Sequence, residues 1–197
     1  MTVAAIVEKD GRFLLVEEDT SDGLMFNNPA GHLEYGESLL QAVEREALEE
    51  TACTFTPQAL LGIYMSRSRH NRTGEDVTYL RVAFRGTVSE PDSTLTLDEG
   101  IVRTVWMTPA EIEASQDRHR SPLLWRRVQD HMAGVALPLD ALRVDDSLFV
   151  TAEPQDGAAG SAGADDATDA QAAVPAPARP SGAASVAATS AAIDTLP

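Results

Sequence analysis

Cysteine is almost missing from this sequence: Cys53 is the single cysteine among 197 residues. One thiol excludes an internal disulfide and any metal site built from several cysteines. Free cysteines are among the most frequently buried residues. We therefore interpret Cys53 as a small buried hydrophobic residue rather than as a catalytic nucleophile.

Positive charge is also scarce, since the chain carries a formal net charge of −16 at pH 7. Nucleic-acid backbones and anionic membranes repel such a chain. The composition therefore excludes both as electrostatic partners and favours a small molecule or a cation. We expect the chain to act as a monomer.

Long apolar runs are missing as well. The N-terminal stretch MTVAAIVEKDG has no basic region before its short apolar run, and Glu8 and Asp10 interrupt that run. This is not the pattern of a signal peptide. No uncharged apolar stretch reaches the roughly 18 residues that a membrane span requires. A cytoplasmic enzyme or binding protein is the expectation.

Aromatic and branched apolar residues become rare after Val150, where Ala, Pro, Gly, Ser and Asp dominate. Such a segment cannot bury enough apolar surface to offset the entropy cost of ordering it. We predict a folded domain over residues 1–148 and a disordered Ala/Pro/Asp-rich tail over residues 149–197. Transient helix in the alanine-rich parts of the tail is the competing interpretation.

Hydrophobic periodicity in the first 148 residues predicts a mixed α/β layered domain. Asp10-Gly11 between two apolar runs indicates a hairpin turn. The segment from Asp19 to Asn28 is interpreted as a loop. Strands are predicted at Val3 to Glu8, Arg12 to Glu17, Leu60 to Ser66, Thr78 to Val88 and Ile101 to Met107.

Three helices are predicted. The first, from Glu37 to about Thr51, has apolar residues at the i, i+3, i+7 spacing of one helix face. The second begins after Thr108, because Pro109 suits the first helical position and Glu111 the capping-box position. The third runs from Ser121 to about Ala133.

The first helix carries a cluster of acids. Glu46, Glu49 and Glu50 fall on one side of the helix, next to its apolar stripe. Their mutual repulsion indicates a neutralising partner. Arg45 can pair with Glu49, but we expect it to face away from Glu46 and Glu50. A hard divalent cation is the remaining candidate, and Mg²⁺ suits a site with few carboxylates and a phosphate-bearing ligand. The alternative is a solvated acidic helix face.

The spacing around the acids argues against that alternative. GHLEYGESLLQAVEREALEETAC, from Gly31 to Cys53, closely resembles the Nudix box, G-x5-E-x7-R-E-U-x-E-E-x-G-U, in which U is a bulky aliphatic residue. It departs at Ala47 and Cys53, which are small for the U positions, and at Ala52, which replaces the second glycine. If that glycine ends the helix in a left-handed conformation, Ala52 bears a cost of roughly 1 kcal/mol or requires another helix exit.

The sequence on both sides of the box resembles the NudJ type of Nudix phosphatase. This second resemblance covers about residues 1–145 and is carried by NNPAGHLE, YLRVAF, I-x4-W at Ile101 to Trp106, RSPL and LPLDAL. It implies an α/β/α sandwich with a mixed sheet. It also implies hydrolysis of nucleoside tri- and diphosphates or of the thiamine-precursor pyrimidine pyrophosphate, which are small-molecule phosphate anhydrides.

The resemblance implies that Glu46, Glu49 and Glu50 are ligands of Mg²⁺, with Mn²⁺ as a substitute. One of the three also accepts a proton from water. Glu46 and Glu50 are the firmest ligands in this interpretation, while Glu49 is either a ligand or the base. Arg45 is implied to orient a catalytic glutamate.

Other candidate residues have less definite roles. Glu37 lies near the helix start, where a carboxylate meets the helix dipole favourably, so a structural cap and a catalytic metal role are both open. Gly31 is expected to let the backbone approach a metal or phosphate, with an ordinary loop glycine as the alternative. Glu34 is a further candidate for the metal and substrate site. Glu99 is a candidate for a distant acid, with a solvated loop charge as its alternative.

Arginine is the residue type available to hold a terminal phosphate, because its guanidinium binds phosphate bidentately. Arg81 is assigned to substrate binding, although the sequence does not separate it from the other candidates, Arg67, Arg69 and Arg72.

Two further functions remain open beside the phosphatase. One is hydrolysis of ADP-ribose or another nucleoside-diphosphate-X compound. The other is a nucleotide sensor that uses the scaffold without turnover. Degenerate carboxylates are expected in a sensor, so the intact Glu46, Glu49 and Glu50 argue against it.

Overall fold

A mixed β-sheet forms the centre of the computed structural model, which describes residues 1–69, 74 and 76–149. Its strands follow the order β3-β2-β1-β6-β5, with β4 paired to β1 and β7 paired to β2. The β1 and β6 strands are parallel and the remaining pairs are antiparallel. The strands are β1 (Thr2–Lys9), β2 (Arg12–Thr20), β3 (Gly23–Asn27), β4 (Ala30–His32), β5 (Phe55–Arg69), β6 (Asp76–Val88) and β7 (Ile101–Met107).

Helices cover both faces of the sheet. Helix α1 (Leu39–Thr51) packs on one face, and α2 (Pro109–Ala114) and α3 (Leu124–Met132) pack on the other. The strand β1 alternates between the two cores, because Val3 and Val7 belong to the first and Ala4 and Ile6 to the second. Burial on both faces explains why β1 is an unbroken apolar run. The predicted α/β/α sandwich is confirmed.

The hairpin between β1 and β2 turns at Asp10 and Gly11, as predicted. Both residues have positive φ angles, 53° and 75°. A two-residue turn with two positive φ angles suits the right-handed twist of the flanking strands, and Asp-Gly tolerates it. The register is set directly beside the turn, where Lys9 lies opposite Arg12.

The predicted loop from Asp19 to Asn28 is wrong, because β2 continues to Thr20 and β3 begins at Gly23. The hydroxyl of Thr20 closes the turn by donating to the carbonyl of Gly23 at 2.8 Å. The polar residues around this turn resemble a loop, so the sequence pattern did not indicate the short strand. Phe26 of this strand is nevertheless buried in the second core. This strand places its last residue, Asn27, near the start of β4.

Helix α1 begins at Leu39, two residues later than predicted, because Ser38 is its N-cap. The Gln41 amide donates to the Ser38 hydroxyl, and the Gln41 side-chain oxygen accepts from the Ser38 amide at 2.8 Å. This reciprocal pair satisfies two backbone donors at the helix start. Helix α2 has the same device at Thr108 and Glu111, which confirms that prediction.

Helix α1 ends in the left-handed conformation that the departure at Ala52 raised as a question. Ala52 has a φ of 56° and a ψ of 19°, and its amide donates to the Leu48 carbonyl at 2.8 Å. The helix therefore keeps the exit that a glycine allows, although an alanine occupies the position. Cys53, which follows, is buried as predicted.

Two predictions concern residues that the structure does not describe. The predicted tail lies outside the described residues from position 150 onward, and Arg72 also lies outside them. Among the described residues, no helix has both the length and the apolar character needed to cross a membrane.

Substitutions at Ala52 test the strained helix exit. In Ala52→Gly, relief of a strain of about 1 kcal/mol is offset by loss of a buried methyl group worth about 0.8 kcal/mol. We expect the free energy of unfolding to change by less than about 1 kcal/mol. Ala52→Val places a branched side chain at a positive φ in a packed site and is expected to lose about 2 kcal/mol. Urea unfolding measures both, and a valine variant as stable as the wild type would contradict this account.

Candidate active site

Two of the three predicted glutamates are buried at the inner edge of helix α1. Glu46 and Glu50 each retain 8% exposure, whereas the Glu49 side chain is 39% exposed. A solvated acidic face would leave all three in water, so the structure contradicts that alternative for Glu46 and Glu50. Burying two carboxylates one turn apart is costly unless their charge is compensated.

Arg45 connects the carboxylates in this part of the structure. Its Nη1 donates to both Glu46 and Glu49 at 2.9 Å, and its Nη2 donates to the His32 carbonyl at 2.9 Å. The expectation that Arg45 faces away from Glu46 was wrong. It overlooked the flexibility of the long arginine side chain, which reaches the neighbouring residue as well as the residue one turn along.

Glu37 fixes this arginine. Its two carboxylate oxygens accept from Nε and Nη2 of Arg45 at 3.0 and 2.8 Å, and it also accepts from the Glu34 amide at 2.8 Å. The hydrogen bond from Arg45 is the main reason that the pKa of Glu37 is lowered. Glu37 is not the helix cap, since Ser38 has that position. The Glu34 side chain is exposed.

Gly31 on strand β4 lies directly against the Glu46 carboxylate. A Cβ atom at Gly31 would lie 2.0 Å from Glu46 Oε2 and 2.2 Å from Oε1. A glycine is therefore required where β4 passes α1, because any side chain would displace the carboxylate. The sequence predicted a close approach at Gly31, but to a metal or phosphate. In the structure the approaching group is a glutamate.

Glu50 is a carboxylate whose negative charge is disfavoured by its buried surroundings. Its Oε2 accepts from the Ala30 amide at 2.8 Å. Burial raises the pKa of Glu50 to about 8, and the negative charges of Glu18, Glu46 and Asp98 act in the same direction. Burial also raises the pKa of Glu46, which Arg45 partly opposes. Both carboxylates would gain from a nearby cation.

Asp98 and Glu18 were not assigned to the site by the sequence analysis. Asp98 and Glu99 are both exposed, and Asp98 contributes to the raised pKa of both Glu46 and Glu50. Gly100, with a φ of 92°, follows this acidic pair and was the available signal that the chain turns there. Glu18 belongs to β2 and lies one residue beyond the strand end predicted at Glu17.

Backbone contacts hold the Asp98 segment against the end of helix α1. The Asp98 amide donates to the Glu49 carbonyl at 3.0 Å, and the Asp92 amide donates to the Ala52 carbonyl at 2.8 Å. Carbonyl groups in the last turn of a helix lack intrahelical partners. The loop between β6 and β7 supplies partners for this end of the helix.

A cleft of about 540 Å³ opens beside Gly31 and Glu50. Arg81 lines it. Its Nε donates to the Thr2 hydroxyl at 3.0 Å, and its Nη1 donates to Asn27 Oδ1 at 3.3 Å. Three acids, Glu18, Asp22 and Glu50, line the cleft together with several arginines, which give it both an acidic and a basic part. The basic residues lining it are Arg67, Arg81, Arg120 and Arg127.

Whether the acidic part suits a metal depends on its donor atoms. In the part of the chain that the structure describes, no three acidic, histidine or cysteine groups already converge as a ligand set. Arg45 engages Glu46 and Glu49 instead. The carboxylate oxygens nevertheless fit a hard cation such as Mg²⁺, because Glu46 and Glu50 are buried beside the cleft with raised pKa values.

A model of the NUDIX domain family matches residues 1–126. The chain belongs to the Nudix family. The phosphatase NudJ of Escherichia coli strain K12 is 32% identical over 143 residues, which are 72% of this chain and 89% of NudJ. This Nudix protein is accordingly an enzyme, a hydrolase of phosphoric anhydrides.

Solved structures also resemble this Nudix hydrolase. A NUDIX hydrolase from Nitrosomonas europaea is 46% identical, has a TM-score of 0.67, and the alignment covers 74% of this chain and 96% of that one. A UDP-X diphosphatase is 19% identical with a TM-score of 0.51 over 66% of this chain and 63% of its own, which shows a shared fold alone.

A methyl group at Gly31 tests the contact with Glu46. In Gly31→Ala the flexible end of Glu46 must move away from the added Cβ, so we expect anhydride hydrolysis to fall about 100-fold. The domain should remain folded. Gly62→Ala is the matched control, because its Cβ would meet only the Tyr64 ring at 3.4 Å. Steady-state kinetics and circular dichroism measure the two effects, and a fully active Gly31→Ala would contradict the assigned position of Glu46.

Glu50→Gln tests the uncompensated buried charge. Because the pKa of Glu50 in the folded protein is about 8 rather than 4.5, folding favours its protonated form. That stabilisation is complete below about pH 4.5 and is lost as the pH rises to about 8. Without metal, the variant should be more stable than the wild type at pH 8 by a few kcal/mol at most, and by less at pH 5.

Urea unfolding in EDTA at pH 5 and pH 8 measures this difference. Glu44→Gln is the control, because it removes a carboxylate from the exposed side of the same helix. Added Mg²⁺ at pH 8 is expected to stabilise the wild type more than Glu50→Gln. An equal response of both proteins at both pH values would show that Glu50 is not the buried charge described above.

Proposed function

We propose that the chain is a Mg²⁺-dependent phosphatase that hydrolyses nucleoside tri- and diphosphates or the thiamine-precursor pyrimidine pyrophosphate. The observation that carries this proposal is a pair of buried carboxylates: Glu46 lies against Gly31, and Glu50 lines a cleft that arginines also line. Acidic groups suit a cation and arginines suit phosphate, so the two parts together suit a metal-bound phosphate chain.

We assign the cation to Glu46 and Glu50 as its firmest ligands, with Glu49 as either a third ligand or the base. When bound, Mg²⁺ supplies Lewis acidity and lowers the pKa of coordinated water. Mn²⁺ is the expected substitute. Glu49 is the most exposed of the three glutamates, so a proton that it accepts has a short route to solvent.

The neighbouring residues position the glutamates and the substrate and take no part in breaking the anhydride bond. Arg45 holds Glu46 and Glu49 in fixed orientations, and Glu37 holds Arg45, so both are proposed as residues that support catalysis. Arg81 is proposed to bind a substrate phosphate, since it lines the cleft and lies within electrostatic range of Glu50. No contact with the cleft supports a role for the exposed Glu34 side chain.

The choice of a phosphatase over a nucleoside-diphosphate-X hydrolase is supported by the 32% identity to a protein named phosphatase NudJ. Retention of every charged position in the Nudix box supports turnover rather than sensing. A monomeric state and a cytoplasmic location stay predictions from the sequence.

A substrate panel with Mg²⁺ tests the proposal. We expect orthophosphate from nucleoside di- and triphosphates or from the pyrimidine pyrophosphate, and little AMP from ADP-ribose. Glu50→Gln should lower kcat about 100-fold or more, because it removes a charged metal ligand. Phosphate release and chromatography of the nucleotide products measure these outcomes.

Arg126→Gln is the control for that panel, since Arg126 is exposed on α3 and pairs with Asp130 at 2.9 Å outside the site. AMP as the main product would favour the nucleoside-diphosphate-X alternative. Full turnover by Glu50→Gln would show that the metal ligands are assigned wrongly.

A further inference from the structure

Arg127 on helix α3 is almost completely buried, with 1% exposure, and it lines the cleft. Arginine is almost never fully buried in proteins unless it is paired with an acid. In a chain with a net charge of −16, an acidic partner would be easy to supply. The contacts of Arg127 are therefore informative.

Among the described residues, the side-chain hydrogen-bond partners of Arg127 are neutral. Its Nε donates to Asn28 Oδ1 at 2.8 Å, and its Nη1 donates to the Ser121 hydroxyl at 3.4 Å. Its Nη2 has no hydrogen-bond partner in the described part of the chain. The guanidinium carbon lies 5.8 Å from the centre of the Tyr64 ring. A ring face and two neutral oxygens orient the cation without neutralising it.

A second cation adds to this charge. Burial and the nearby positive charge of Arg81 lower the pKa of Arg127 to about 9. Arg81 also lines the cleft, and it lies within electrostatic range of Glu18 and Glu50. Two guanidinium groups therefore share the wall of the cleft beside the acidic part.

Asn28 contributes an uncommitted donor at the same place. It is fully buried, its Oδ1 accepts from Arg127, and its Nδ2 has no hydrogen-bond partner among the described residues. A buried amide donor without a partner destabilises the fold, because it has lost its hydrogen bonds to water. Two side chains joined by a hydrogen bond thus each carry a donor without a partner, Nη2 of Arg127 and Nδ2 of Asn28.

We propose that Arg127, Arg81 and the Asn28 amide form an anion subsite that binds a terminal phosphate group of the substrate. This inference rests on the proposed phosphatase function, and it specifies the substrate class. A terminal phosphate carries more negative charge and more free oxygens than a phosphate linked on both sides, through an ester and an anhydride, and guanidinium groups bind such oxygens in pairs. The subsite therefore selects phosphate chains with a free end over diesters such as ADP-ribose.

The alternative is a purely structural role, a prop, in which Arg127 links α3 to Asn28, the residue before Pro29. One substitution distinguishes a prop from an anion subsite by its effect on anion binding. Asn28→Asp keeps the shape of the side chain and gives Arg127 an internal carboxylate partner. It should raise the melting temperature of the folded chain under either role. Only an anion subsite would lose its ligand as well.

Thermal unfolding of the full-length protein in EDTA, with inorganic phosphate as the probe and chloride at equal ionic strength as the reference, separates the two roles. We expect phosphate at 20 mM to raise the melting temperature of the wild type by about 3 °C. In Asn28→Asp the melting temperature without phosphate should be higher, and the phosphate shift should disappear. Arg126→Gln, which removes an exposed arginine next to Arg127, should keep the shift.

Steady-state kinetics with Mg²⁺ give a second measurement. Asn28→Asp is expected to raise KM for a nucleoside diphosphate about 10- to 100-fold, with a much smaller change in kcat. KM for ADP-ribose, where any turnover is measurable, should change little, because that compound has no terminal phosphate. A pure prop predicts equal changes for both substrates.

The outcomes separate this inference from the proposed function. A phosphate shift that is absent from the wild type, or equally large in Asn28→Asp, would show that Arg127 is a prop and overturn the inference, even if the enzyme hydrolyses every substrate tested. A shift that Asn28→Asp abolishes in EDTA supports the subsite. If the wild type showed this phosphate binding but hydrolysed no anhydride with Mg²⁺, the proposed function alone would fail.

Discussion

The paired hydrogen bonds between Arg45 and Glu37 are the constraint on which the acidic site depends. They fix the guanidinium plane, and the remaining nitrogen atoms of Arg45 can then hold Glu46, Glu49 and the His32 carbonyl. One cation thereby organises three carboxylates that would otherwise repel each other. Glu50 lies beyond its reach, and burial raises the pKa of this carboxyl group to about 8.

Much of the fold could be predicted because local chemistry decides it. The Asp10-Gly11 turn, the N-cap at Thr108 and the bounds of β7 follow from patterns that lie within a few residues of each other. Strand β3 could not be predicted, since its short apolar run is flanked by polar turn residues. It is stabilised by pairing with β2 and by burial of Phe26, and both contacts depend on the rest of the fold.

The site shows the same division between local and distant information. The resemblance to the Nudix box pointed to the acids of α1 and to Gly31 of β4, two elements that are adjacent in the chain as well as in space. Arg127 could not be found that way. Its partner Asn28 lies 99 residues earlier, and nothing in RSPLLWRRVQ distinguishes the buried arginine from the exposed Arg126 beside it. Only the packing of α3 on the sheet makes that distinction.

The loop between β6 and β7 is exposed over most of its length, and exposed loops generally accept added sequence. Here two of its amides are bonded to the final carbonyls of α1, at Glu49 and Ala52. Its length and path are therefore coupled to the orientation of the helix that carries the acids. A fusion partner or affinity tag inserted into this loop would therefore disturb the orientation of that helix and of its acidic side chains.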